Sequence, residues 1–287
     1  MSRISTSSWS LHRTLGSPPL FGPGQPFPDS ILVEGVIALL ELPAALAQAG
    51  IGTLEIVHFH FPTVDTPYLD ELKSAIGQAD IELFSVLIDA GDVTDPDDAT
   101  RAGEMAWIRS WLDVAARLGA THARVVAGCR PVEPTRSPNG GSLLDHPVIR
   151  RSAQSLRELA DYGASIGVQV ITENFRETTS RADQVMAILE LCEGRVGLCA
   201  DFGNYSGSDR YDELAALFPR ADSAHVKALY DGGGNPDEGE FRHSLGMLAQ
   251  AGFDGPMSLI FDTALHGNSS EWDNLAKMKE VAAPFCA

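Results

Sequence analysis

Residues 168–204 read VQVITENFRETTSRADQVMAILELCEGRVGLCADFGN. Two short apolar runs, Val168–Thr172 and Val196–Ala200, each end on a carboxylate, Glu173 and Asp201. Between them Val185, Met186, Ile188, Leu189 and Cys192 recur at helical spacing, behind a start signal at Ser180 with Asp183 three residues on. The order is strand, acid, helix, strand, acid. A single acid after an apolar run is ordinarily a solvated loop residue or a helix cap. Two in register on successive units point instead to the C-terminal rim of an α/β barrel, where parallel strands deliver side chains to a common site.

The same alternation runs outward in both directions. Upstream, strands are predicted at Arg3–Ser8, Gly52–Phe61, Ile81–Ile88 and His122–Ala127, and downstream at Ala221–Lys227 and Pro256–Asp262. Helical patterns fall between and after them, at Ile31–Ala49, Pro67–Gln78, Asp97–Leu118, His146–Ile166, Asp209–Phe218, Phe241–Ala251 and Glu271–Val281. Eight strand–helix units imply parallel strands with right-handed crossovers. In 287 residues this spacing predicts an α/β fold, a single (β/α)8 TIM barrel forming one domain over 1–287. No GxGxxG opens a helix, which argues against an open dinucleotide-binding sheet.

Charge and composition narrow the function. Asp plus Glu number 39 against 21 Lys plus Arg, a net charge of −18, which disfavours nucleic acid and anionic membranes. The four cysteines form no CxxC pair, and Cys192 and Cys199 read as small buried hydrophobes. The N-terminus MSRISTSSWS lacks a signal-peptide core and no apolar run approaches a membrane span, so a cytoplasmic location is expected. Oligomeric state is not readable, and a homo-oligomer stays open.

Candidate site residues follow from the strand ends. Glu173, Asp201, His225 and Asp262 stand at the ends of four consecutive strands. Neighbouring strands lie about 4.8 Å apart, so groups at one height can meet on one ion. Carboxylates with one imidazole suit Mn²⁺, Mg²⁺, Co²⁺ or Zn²⁺. Such an ion polarises a sugar carbonyl while a base removes the neighbouring proton. Glu173 is the candidate ligand and base, and Lys227 the candidate cation for developing negative charge. Alternation through GTLEIVHFHF puts His58 and His60 on one face, His60 nearer the rim; they are either metal or substrate contacts or hydrogen-bonded wall histidines. Arg124, inside an apolar strand, needs a barrel carboxylate or an anionic substrate group. Trp9 after the first strand and Asn204 after Asp201 are further candidates for substrate contact. The Pro/Gly-rich stretch Gly16–Pro28 either covers a pocket or runs over the surface.

With these residues in view, the chain resembles the xylose-isomerase-like TIM barrels, the sugar phosphate isomerase/epimerase proteins. The matching stretches are ITENF around Glu173, CADFGN around Asp201, AHVKA around His225 and AGFDGPMSL before the eighth strand, with LGATHARVVAG and EIVHFHFP upstream. The resemblance covers nearly the whole chain and implies a divalent metal held by Glu173, Asp201 and His225. It implies an isomerase or epimerase acting on a small sugar, keto-sugar or polyol by proton abstraction next to a carbonyl. Dehydratases of cyclic polyols or keto acids and DNA-cleaving proteins share the family. Three positions depart from the epimerase pattern. Ile260 stands where a fourth ligand, a glutamate, is expected, with Asp262 two residues on as its candidate substitute. Asn204 replaces a histidine, and Asp231 an arginine. These departures keep open a metal-free, sugar-binding barrel or a subunit of a larger complex.

Overall fold

A computed structural model describes residues 2–29, 32–133, 142–230, 236–262 and 269–286. Eight parallel strands close on themselves in chain order: β1 (Arg3–Ser7), β2 (Thr53–Val57), β3 (Glu82–Ile88), β4 (His122–Val125), β5 (Gln169–Glu173), β6 (Gly197–Asp201), β7 (Ser223–Lys227) and β8 (Pro256–Ile260). β8 pairs with β1 to complete the cylinder. The strands are buried on both faces because helices cover the outside. These are α1 (Leu42–Gln48), α2 (Thr66–Gln78), α3 (Asp98–Leu118), α4 (Pro147–Ser165), α5 (Ala182–Leu191), α6 (Arg210–Leu217), α7 (Glu238–Gln250) and α8 (Glu271–Ala282). None of the described helices is long and apolar enough to cross a membrane.

Register decides what meets at the rim. Asp201 is level with His225, His225 with Ser258, and Lys227 with Ile260. On the far side Ser7 is level with Glu55. Phe84 is an extra residue in β3, where the pairing with β2 jumps from Leu83 to Ser85. Its ring packs with Ile171 and Cys199 inside the cylinder.

Three sequence expectations shift. The helix expected over Ile31–Ala49 is confined to Leu42–Gln48, and Ile31 lies outside the described residues. Instead Val33–Glu34 pairs antiparallel with Gly16–Ser17. Gly16 has φ 91°, and a Cβ there would stand 2.7 Å from the Gly35 nitrogen. A Cβ on Gly35 would stand 2.3 Å from the Leu15 carbonyl carbon. Two glycines thus let the chain cross itself, and Leu32, Val33 and Val36 remain exposed instead of forming an apolar helix face. The second strand stops at Val57, and His58–His60 turn as 3-10 helix, which breaks the alternation. The α5 start lies one residue beyond the expected Ser180: the Gln184 side chain accepts from the Arg181 N–H at 3.0 Å and from the Ser180 hydroxyl at 3.2 Å.

Candidate active site

The C-terminal ends of the strands open into a cavity of about 530 Å³. Glu173, Asp201, His225, Lys227, Asp262, Arg124, Asn204 and Trp9, all named from the sequence, line it. The segment after β1 closes over it through Leu20, Phe21, Gly22 and Gln25, so Gly16–Pro28 is a roof.

His225 is the hub. Its Nδ1 lies 3.3 Å from Glu173 Oε1 and 3.6 Å from Asp201 Oδ2, and its Nε2 lies 3.1 Å from Glu55 Oε2. Burial disfavours the charged ring, but Cys199, Glu173 and Glu55 more than offset it and raise the pKa well above the ordinary histidine value. Lys227 Nζ stands 3.0 Å from Asp201 Oδ2 and donates to Asn204 Oδ1 at 3.3 Å. Burial works against this ammonium too, and Asp201 with Glu173 overcomes it, raising the pKa. Burial would raise the Asp201 carboxyl, yet Lys227 and His225 draw its pKa down to about 2. Asn204 donates from Nδ2 to Glu173 Oε1 at 3.0 Å, linking the two chemical candidates Glu173 and Lys227.

Arg124 finds barrel carboxylates. Its Nε lies 2.9 Å from Glu173 Oε2, and its Nη2 pairs with Asp89. Burial opposes the guanidinium charge, and Asp89 and Glu173 outweigh it. Asn174 sets the heights of the two acids. Its Oδ1 accepts the Asp201 N–H at 2.7 Å and its Nδ2 donates to the Asp201 carbonyl at 3.0 Å. The side chain thus continues the β5–β6 ladder one step past its end.

His60, expected as a substrate contact, does not line the cavity. Its Nδ1 meets Ser8 Oγ at 2.8 Å and its Nε2 meets His12 Nδ1 at 2.9 Å. His58 lines the cavity instead, because the chain turns after Val57. The Asp89 N–H donates to His58 Nδ1 at 3.2 Å, so Nε2 carries the proton that the Phe21 carbonyl accepts at 3.0 Å. Burial lowers the His58 pKa, consistent with this neutral form. Three residues that sequence reasoning passed over hold the site: Glu55, Asp89 and Asn174. Glu55 carried one signal, a lone carboxylate inside an apolar strand.

The donor set fits a hard divalent cation. Glu173 Oε2 and Asp201 Oδ2 are buried oxygens met only by ion pairs, with Arg124 at 2.9 Å and Lys227 at 3.0 Å, and Asp262 Oδ1 is buried without a hydrogen-bond donor among the described residues. His225 presents Nδ1 to two of these acids and leaves Nε2 on a carboxylate, the outer support common for a metal-binding imidazole. Among the described residues, Glu173, Cys199 and His225 place donor atoms within 4.8 Å of one another. The thiol is the least suited of the three, since burial pushes its pKa up and it packs on Phe84 and Ile171. Asp201 and Asp262 lie outside that triplet, the first held by Lys227 and the second just past β8. The Asp231 position lies outside the described residues.

Comparison with known proteins bears on the family and the fold. Residues 43–278 match a family model described as a xylose isomerase-like TIM barrel. A Streptomyces coelicolor protein provisionally named hydroxypyruvate isomerase is 28% identical over 256 residues, covering 78% of this chain and 86% of that protein. An L-ribulose 3-epimerase structure superposes with a TM-score of 0.71 at 16% identity, over 99% of this chain and 94% of the other. A xylose isomerase-like TIM barrel protein from Mycobacterium smegmatis, solved in complex with magnesium, superposes with a TM-score of 0.67 at 15% identity, over 99% and 98% of the two chains.

Proposed function

The chain belongs to the xylose isomerase-like TIM barrel family, and from that membership we propose that it is a divalent-metal-dependent isomerase of a small keto-sugar or keto acid. The observation that carries the reading is the His225 hub, with Glu173 at 3.3 Å, Asp201 at 3.6 Å and Glu55 behind the ring at 3.1 Å. Glu173, Asp201 and His225, with Asp262 in place of the glutamate replaced by Ile260, would hold the ion. When bound, it supplies Lewis acidity to a substrate carbonyl.

The chain's own residues account for the proton. Glu173 takes it from the carbon next to the carbonyl, and the C–H electron pair moves onto the carbonyl oxygen to form an enediolate. Lys227, half in the cavity wall and tied to Asn204, faces the developing negative charge. Glu173 then returns the proton to the former carbonyl carbon, and the hydroxyl proton passes from one oxygen of the enediolate to the other, which moves the carbonyl by one position. One base on one face suffices for this transfer. Epimerisation at one carbon needs acids on two faces, and Ile260 removes the second glutamate. The relative named a hydroxypyruvate isomerase supports the one-base reading.

Isomerisation of hydroxypyruvate and of ketohexoses, followed by NMR in D₂O with Mg²⁺, Mn²⁺, Co²⁺ or Zn²⁺, tests it. Substrate deuteration and product formation are expected. Both should disappear with chelator and fall about 10²- to 10⁴-fold in Glu173→Gln. Unchanged turnover in Glu173→Gln overturns the mechanism. A second reading rests on Lys227, whose ammonium already neutralises Asp201. It is a metal-free sugar-binding barrel, and sugar binding unaffected by chelator, without deuteration, would establish it.

A further inference from the structure

Two of the cavity's side-chain cations are committed. Arg124 is held by Asp89 and Glu173, and Lys227 by Asp201 and Asn204. Arg176 also lines the cavity, in the turn after β5. Its guanidinium makes no hydrogen bond or ion pair among the described residues. Partners are not scarce in a chain with 39 acids and 21 bases.

The backbone at Arg176 is held where side chains rarely go, with φ 75° and ψ 179°. Glycine occupies that region freely, and a residue with a Cβ pays strain to stay there. The conformation sets the guanidinium carbon 4.6 Å from the centroid of the Phe175 ring, over which Arg124 also stands at 5.5 Å. Phe175 is itself part of the cavity wall. A strained turn therefore presents an exposed guanidinium, stacked on Phe175 and without an ion-pair partner among the described residues, at the wall of the cavity that Glu173 and Lys227 also line. Sugar hydroxyls do not call for such a group. The paired oxygens of a carboxylate or phosphate match its fork of N–H donors.

We propose that Arg176 determines specificity by recognising an anionic substituent, carboxylate or phosphate, on the small keto substrate. This rests on the isomerase reading and adds the substrate's charge to it. The test is calorimetric binding of hydroxypyruvate, fructose 6-phosphate and fructose to the wild type, Arg176→Gln, Arg176→Lys and Arg176→Gly, with metal present. One of the two anionic probes should bind the wild type about 10- to 100-fold more tightly than fructose, and which one identifies the anion. Arg176→Gln should lose that advantage, Arg176→Lys keep part of it, and fructose bind all four alike. Arg176→Gly should lose the anion yet melt about 2–4 °C higher, because glycine relieves the turn. Anion binding that survives Arg176→Gln, a loss shared equally by fructose, or a wild type indifferent to charge overturns the proposal. Binding does not require turnover. Arg176-dependent anion binding without deuteration in D₂O would sink the isomerase reading and leave the anion site standing.

Discussion

Strands β5 to β8 carry or lead into Glu173, Asp201, His225 and Asp262, whereas strands β2 to β4 carry or lead into Glu55, His58, Arg124 and Asp89. The first half presents carboxylate oxygens to the cavity, those of Glu173 and Asp201 met by ion pairs and Asp262 Oδ1 without a donor among the described residues. The second half spends its polar atoms on other parts of the site. Glu55 holds His225, Arg124 holds Glu173, and His58 holds the carbonyl of Phe21 in the roof. On the proposed reading, one side of the cylinder carries the chemistry, and the other fixes its charge and orientation. Mutations can separate the two roles.

The largest effect is expected from Arg124→Leu. It leaves Glu173 and Asp89 without the guanidinium between them, at a cost of about 3–5 kcal/mol, the usual penalty for breaking a buried ion pair. Urea denaturation measures this, and a cost below about 1 kcal/mol would remove β4 from the supporting half. Asp201→Asn should come next. The Asp201 carboxyl has its pKa lowered to about 2 by Lys227 and His225. Its ionised form therefore stabilises the fold above the ordinary carboxylate range, and the gain is lost as pH falls through that range toward 2. The wild type should hold about 2 kcal/mol over Asp201→Asn at neutral pH, shrinking to nothing in strong acid. A constant difference across the acid titration would contradict the Lys227 pairing. The smallest effect is expected from Glu55→Gln, which keeps a hydrogen-bonding group behind His225 but removes its charge. Metal affinity by calorimetry should fall on the order of tenfold, as for other groups behind a metal-binding imidazole, with little change in thermal stability. An unchanged affinity would make Glu55 a passive neighbour.

The two halves also differed in how readily they were read. Glu173 and Asp201 follow apolar runs and His225 lies within the next strand, so the strand–helix alternation marks this part of the barrel. Glu55 lies in the middle of its strand, and its importance comes from a residue 170 positions away. Only closure of the cylinder brings the two together. Alternation selected His60, but the chain leaves the strand at Val57 and the next turn sends His58 to the cavity. The apolar pattern in 32–40 suggests a helix, while Gly16 and Gly35, packed too closely for either to carry a Cβ, allow a ribbon instead. Arg124 was legible as a charge in need of a partner. Which partner it takes depended on the neighbouring strand.

That ribbon joins Gly16–Ser17 to Val33–Glu34 and so clasps both ends of the roof at one place, off the barrel wall. The excursion is consequently a cassette. It can be lengthened, trimmed or exchanged as a unit while the eight staves keep their register. Exchanging it would remake the ceiling over the cavity, while the strands that carry Glu173, Asp201 and His225 lie elsewhere in the chain.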